Sequence, residues 1–334
     1  MAPTEPAIHE PTLADIEAAA ARIAGQAVRT PLLESPALNR RVGGRVLVKA
    51  EMLQRTGSFK FRGAYNKLSQ IPEDIRRHGV IAFSSGNHAQ GVAAAAHLLG
   101  APATIVMPSD APMVKREGTA SWGATIVTYD RRDHDKRETI AVDLLNRQGG
   151  TLISPFDDPD IIAGQGTVGL ELVDQADVEP DAVVVPAGGG GLTAGVATAV
   201  AAKLPGVPIY TAEPEGYDDH ARSFVSGDRE AVAAGAESFC DALLAPRPGI
   251  LTFAINKKRC RGGLVVSDAE VAMAMAVAFR DLKVVVEPGG AVALAAVLTG
   301  RIAAEGKTVA VVCSGGNVDA GGFAEILGAA PVSG

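Results

Sequence analysis

The stretch Gly57-Ser58-Phe59-Lys60-Phe61-Arg62-Gly63-Ala64 sets one lysine between two phenylalanines, close behind a serine. An amine in apolar company loses hydration, which favours its neutral form and makes it a usable nucleophile. So placed, Lys60 can condense with an aldehyde cofactor. By itself the stretch also reads as a surface lysine at a helix start, and three glycine-rich turns bear on the choice. Gly188-Gly189-Gly190-Gly191 follows the apolar run Ala182-Val183-Val184-Val185 and precedes an Ala-rich helical segment. Consecutive glycines let backbone N–H groups converge on one concavity, and a helix N-terminus adds positive potential, which suits a phosphate. A strand-to-helix turn alone needs one or two glycines rather than four. No Walker lysine follows, and the run departs from the Gly-x-Gly-x-x-Gly pattern, which disfavours a nucleotide cofactor.

Ser85-Gly86-Asn87-His88 offers N–H groups, a hydroxyl and an amide to a carboxylate or a phenolic oxygen. His88 reads first as a helix-start histidine and second as an acid–base group. Ser314-Gly315-Gly316-Asn317 closes the last apolar run. Its hydroxyl can bond a ring nitrogen without forcing it to be protonated; a plain strand-ending turn is the other reading. Glu213 and Asp219, with a backbone carbonyl between them, offer hard oxygen ligands for Mg²⁺ or Ca²⁺, or else form a solvated acidic loop. Arg137 lies in the charged run Asp130 to Glu138, which reads as a solvated helix start.

These residues need a frame. Helical spacing runs from Thr12, a good N-cap, to Ile23. A short strand follows at Pro31 to Leu33, then a β-branched strand at Val46 to Ala50 and a helix from Arg62 to Leu68. Strand and helix then alternate: Val80 to Phe83, Gln90 to Leu99, Ala103 to Met107, Pro112 to Trp122, Thr125 to Tyr129. From Thr151 a second region begins. Gly164-Gln165-Gly166-Thr167 leads into a helix ending near Asp174, before a strand at Ala182 to Val185, a helix at Leu192 to Leu204 and a strand at Pro208 to Ala212. Ser267 and Glu270 form a capping-box pattern for a helix to Arg280, and Thr308 to Cys313 is the last strand. This alternation predicts a parallel α/β layer.

The 334 residues suit about two domains. A content of 47% hydrophobic residues with only 4% aromatics suits a sheet of small aliphatics covered by helices on both faces. A net charge of -7 gives no broad field for nucleic acid. Cys240, Cys260 and Cys313 are scattered and odd in number, which fits a reducing cytoplasm. No apolar run reaches the ~18 residues that span a bilayer, and the N-terminus lacks signal-peptide character, so no membrane contact is expected.

Together and in this order, the four stretches resemble the fold type II pyridoxal phosphate (PLP) enzymes, specifically the serine/threonine dehydratase and serine racemase group. The likeness runs from about Thr30 to Asp319. It implies an α/β fold of two domains like tryptophan synthase β, with parallel-rich sheets covered by helices. Residues 1–79 and 156–334 would form a large PLP-binding domain, residues 80–155 a small mobile substrate-loop domain, and the cofactor would lie in the cleft. The resemblance implies that Lys60 holds PLP and later takes the α-proton. Phe59 would stack beside the ring, Asn87 bond its phenolic oxygen, Gly188, Gly189, Gly190 and Gly191 bind the phosphate, and Ser314 bond the ring nitrogen. Ser85, Gly86, Asn87 and His88 would meet the substrate carboxylate, and Ser85 matches the serine that serves the opposite substrate face in the racemases. Glu213, the Tyr217 carbonyl and Asp219 match the group's divalent-cation site.

The implied reaction is β-elimination from L-threonine and L-serine, giving a 2-oxo acid and ammonia in a homodimeric enzyme. Within the family, 3-hydroxyaspartate dehydration and serine racemisation are the alternatives, and a non-catalytic PLP-binding protein is a more distant one. Arg137, if it faced the pocket, would favour a substrate with a β-carboxylate. Two departures stand out. Cys240-Asp241-Ala242 replaces the usual Ala-Asp-Gly, placing a methyl near the cofactor face. The chain also stops soon after Asp319, so isoleucine feedback through a C-terminal regulatory domain is not expected.

Overall fold

The computed structural model describes residues 9–84, 86–111, 113–130 and 136–329, with the side chains of 136–138 excepted. Among the described residues ten strands form two sheets: β1 (Leu32–Leu33), β2 (Arg45–Ala50), β3 (Val80–Phe83), β4 (Ala103–Pro108), β5 (Thr125–Tyr129), β6 (Thr151–Leu152), β7 (Ala182–Pro186), β8 (Ile209–Pro214), β9 (Gly262–Val266) and β10 (Thr308–Cys313). The larger sheet has the order β1-β2-β10-β7-β8-β9 and the smaller β5-β4-β3-β6. Every pairing is parallel except the short β1 against β2.

Side-chain alternation explains the layering. On β10, Val309, Val311 and Cys313 pack with the helix Pro288–Leu298, whereas Ala310 and Val312 pack with Leu192, Val196 and Val200 of the helix Gly191–Lys203. Successive strand residues point to opposite faces, so a strand covered on both sides must be apolar throughout. β7 and β10 are buried at every position.

Three expectations change. Gly164 to Thr167 lie inside the helix Pro159–Gln175, which Asp158 caps by accepting from the N–H groups of Asp160 and Ile161. The glycines serve close approach instead: a methyl on Gly195 would sit 2.4 Å from the Ile162 carbonyl oxygen and 2.5 Å from the Gly166 nitrogen. The helix capped at Ser267 stops at Val277 and passes into a π-helical turn, Ala278–Leu282. The helices bearing the chemistry begin earlier than their periodicity shows, at Lys60 (Lys60–Ser69) and at Asn87 (Asn87–Leu98).

A buried ion cluster anchors the first of these helices. The fully buried Arg62 donates to Glu51 through Nε (2.8 Å) and Nη2 (2.8 Å), and to Glu171 through Nη1 (2.7 Å) and Nη2 (2.8 Å). Lys49 Nζ reaches Glu171 (2.6 Å), Gln175 (2.9 Å) and the Thr30 carbonyl (2.7 Å). Two cations face two anions, so no net charge is left in the cluster. Among the described residues no helix is long and apolar enough to cross a membrane.

Candidate active site

Lys60 opens its helix, with its Nζ donating to the Pro155 carbonyl at 2.7 Å and lying 5.2 Å from the centre of the Phe59 ring. Loss of water around the amine pushes its pKa down to about 8. About a tenth of the amine is therefore neutral at pH 7, far more than for an ordinary lysine, which favours a nucleophilic amine. The preceding residues are stitched to the end of β10: Phe59 N–H donates to the Ser314 carbonyl (3.1 Å) and Gly316 N–H to the Gly57 carbonyl (2.9 Å). Ser314, nearly fully buried, is thereby held beside the lysine segment. From the other sheet, the helix Asn87–Leu98 approaches through Gly91, where a methyl would lie 3.0 Å from the Lys60 carbonyl carbon.

Asn87 heads that helix. Its Nδ2 donates to Glu287 Oε1 (2.5 Å) and its Oδ1 accepts from Asn317 Nδ2 (2.8 Å). His88 Nε2 lies 3.2 Å from the Ile153 carbonyl, which can only accept, so that nitrogen carries the hydrogen. Burial, and next the charge of Lys60, push its pKa down to about 3. The ring is thereby fixed to the backbone at the head of the helix. Gly86 N–H donates to Ser84 Oγ (3.2 Å). Ser85 and the Arg137 side chain lie outside the described residues.

Gly188 to Gly191 turn from β7 into the helix Gly191–Lys203. Only Gly190 has positive φ, at 91°. The others are glycine because of what surrounds them: a methyl on Gly189 would meet Phe156 ring carbons at 2.3 and 2.4 Å, and one on Gly191 would meet Phe156 Cβ at 3.0 Å. Among the described residues, the N–H groups of these four glycines donate no hydrogen bond within the chain. Successive unsatisfied N–H groups at a helix N-terminus are an anion cradle. An aldehyde-reactive amine, an anion cradle, an aromatic ring and a hydroxyl thus converge, and these residues fit PLP.

Glu213, on β8, caps the helix Asp219–Ser226 by accepting from the N–H groups of His220 (2.7 Å) and Ala221 (2.8 Å). Asp219 is fully buried, and neither carboxylate oxygen has a partner among the described residues. Burial, then the charge of Asp219, raises the Glu213 pKa well above the usual carboxylate range, and burial raises that of Asp219 to about 7. The solvated-loop reading is therefore wrong for this pair. Tyr217 makes the turn between them, its N–H on the Pro214 carbonyl (3.1 Å). Among the described residues no cluster of three or more His, Cys, Asp or Glu side chains has metal-binding geometry, so a third protein ligand here would come from the backbone.

Several residues at the site carry no local signal. Glu287 precedes the helix Pro288–Leu298, buried, with Oε2 unpartnered among the described residues. Burial above all pushes its pKa up to about 7, against the pull of the Lys115 charge. Lys115 pairs with Asp241, joining the chain around the smaller sheet to the larger one. A methyl on Gly289 would lie 3.0 Å from the Ala242 methyl, so Ala242 stands against the start of the Glu287 helix. Pro155 and Phe156, which touch Lys60 and the glycine loop, belong to none of the sequence motifs.

The chain matches the family model described as pyridoxal-phosphate dependent enzyme over residues 23–315. It is 44% identical over 313 residues to an L-threo-3-hydroxyaspartate ammonia-lyase from a Pseudomonas species, covering 94% of this chain and 97% of the relative. It is 42% identical to an L-threonine ammonia-lyase of Thermotoga maritima, covering 92% of this chain and 76% of the relative. Among solved structures, maize serine racemase superposes with a TM-score of 0.90 at 37% identity, covering 95% of this chain and 97% of that one. With these lengths matched and with an amine, ring and anion cradle brought together on two largely parallel sheets, the chain belongs to the pyridoxal-phosphate dependent enzymes of fold type II, in their ammonia-lyase and racemase group.

Proposed function

We propose that the protein removes water and ammonia from small β-hydroxy amino acids, L-threonine and L-serine first, releasing the 2-oxo acid. The observation that carries this reading is the Lys60 amine, depressed to about 8 and fixed at 2.7 Å from the Pro155 carbonyl. Lys60 would hold the cofactor aldehyde, Gly188 to Gly191 its phosphate, Ser314 its ring nitrogen and Asn87 its phenolic oxygen, with Phe59 beside the ring. Bound PLP supplies an electron sink for the charge left when Cα loses its proton. The amine of Lys60, with its pKa near the working pH, accepts that proton. Ser85, Gly86 and Asn87 orient the substrate carboxylate at the N-terminus of the Asn87–Leu98 helix, where positive potential favours an anion. The Glu213 and Asp219 carboxyls with the Tyr217 carbonyl would hold Mg²⁺ or Ca²⁺, which offsets the cost of burying both acids.

A second reading, L-threo-3-hydroxyaspartate as substrate, is favoured by one observation: the Pseudomonas relative with that activity is as similar to this chain as the threonine enzyme is. Release of 2-oxo acid from L-serine, L-threonine and the 3-hydroxyaspartate isomers separates the two. Pyruvate and 2-oxobutyrate establish the first reading, and oxaloacetate alone establishes the second. Normal turnover in Lys60→Ala would refute both.

A further inference from the structure

The carbonyl oxygens of the glycine loop are held from behind by three fully buried side chains that belong to none of the motifs above. Gly188 O accepts from His220 Nε2 (3.1 Å), Gly189 O from Thr252 Oγ1 (2.6 Å), and Gly190 O from Asn256 Nδ2 (3.3 Å). Two backbone N–H groups reinforce the last two: Gly249 to Gly189 (3.2 Å) and Ala194 to Gly190 (2.9 Å). In a trans peptide the C=O and the following N–H point in opposite directions. Pinning three successive carbonyls on one side therefore aims the N–H groups of Gly189, Gly190 and Gly191 to the other, where they have no partner within the described chain.

The clamp is itself anchored. Thr252 and Asn256 lie one helical turn apart on the helix Ile250–Arg259 and so share a face. Asp157 caps that helix, accepting from the N–H groups of Ile250 (2.8 Å), Leu251 (2.9 Å) and Thr252 (3.1 Å). Asp157 directly follows Pro155, which accepts from Lys60, and Phe156, which abuts Gly189 and Gly191. His220 is wedged 6.1 Å from the Phe224 ring and 6.4 Å from the Phe253 ring.

We propose that His220, Thr252 and Asn256 are positioning residues for the cofactor's phosphate: they hold the glycine-loop carbonyls so that the opposite N–H groups stand ready for an anion. The proposal rests on the assignment of Gly188 to Gly191 to the phosphate. The test compares PLP with pyridoxal, which has the same aldehyde and ring but no phosphate, titrated into the full-length protein stripped of cofactor. Removing one neutral hydrogen bond in Thr252→Val should weaken PLP binding about tenfold while pyridoxal binding stays within about twofold. Thr252→Ser, which keeps the hydroxyl, should bind both like the unaltered protein. Asn256→Leu and His220→Phe should repeat the selective loss, and Thr252→Ala replaces Thr252→Val if the latter does not fold. Equal weakening of both ligands, or undiminished preference for PLP, overturns the clamp. An unaltered protein that binds pyridoxal as tightly as PLP overturns the phosphate assignment itself.

Discussion

Replacing Arg62 by methionine removes the centre of the buried cluster beneath Lys60. The guanidinium makes four hydrogen bonds to the carboxylates of Glu51 and Glu171. Without it, among the described residues, the fully buried Glu51 keeps one side-chain hydrogen bond, from the Thr30 hydroxyl (2.5 Å), and the nearby charge of Lys49, whereas Glu171 keeps a direct bond from Lys49 (2.6 Å). A buried charge stripped of its partner costs about 3–5 kcal/mol. Pairing Arg62→Met with Glu51→Gln removes the stranded charge, so the double variant should regain about 2 kcal/mol or more relative to Arg62→Met alone. Urea unfolding of the full-length protein with cofactor, followed by circular dichroism, measures both quantities. Because Arg62 lies two residues beyond Lys60 on the same helical turn, kcat should fall more than KM changes. A loss below about 1 kcal/mol for Arg62→Met, or strict additivity in the double variant, would refute the reasoning.

Gly189→Ala drives a methyl into the Phe156 ring at 2.3 Å; overpacking of about 1–3 kcal/mol should appear as weaker PLP binding that Phe156→Leu restores, and an unchanged Kd would count against it. Glu287 is an acid whose pKa rises from the ordinary 4.5 to about 7 on folding. The folded state therefore binds extra proton between those values, and stability falls as pH rises through that window, by about 3 kcal/mol in all. Glu287→Gln should flatten this part of the profile, so equal slopes in melting experiments from pH 5 to 8 would exclude the assignment. Mg²⁺ or Ca²⁺ should raise the Tm of the unaltered protein, and a chelator should reverse the gain. In Asp219→Asn the response should vanish, while at pH 8 without cation that variant should be at least as stable, because a carboxyl raised to about 7 carries a buried charge there. The same cation response in both proteins argues against a site at Asp219.

Local pattern located eight of the ten strands among the described residues and missed the two-residue Thr151–Leu152 and the edge strand Gly262–Val266. Val80–Phe83 and Thr308–Cys313 fall where their apolar, β-branched runs lie, because such runs are what a sheet buried between helices requires, and the part-exposed edge strand Thr125–Tyr129 falls on its own β-branched residues. The helix Pro288–Leu298 was invisible to periodicity: it is apolar all round, and a helix buried on every side has no polar face to reveal its period. Gly164 and Gly166 were read as leading into their helix, whereas they lie inside it, because sequence does not distinguish a glycine that precedes a helix from one that admits a neighbouring backbone. The Lys60 stretch, the four glycines and Ser314 were legible as chemistry because each is a local pattern of residue types.

Sequence alone determined which functional groups the protein owns and that parallel α/β layers carry them, since both follow from residue type and from spacing along a strand or helix. Tertiary structure alone decided their state and company. Glu287 meets Asn87, Lys115 pairs with Asp241, and His220, Thr252 and Asn256 meet the glycine carbonyls across long separations in the chain. It also decided that His88 is neutral and that Glu213 and Asp219 are buried rather than solvated. The physical reason is that protonation and orientation depend on water excluded and partners gained, and both are supplied by residues distant in sequence.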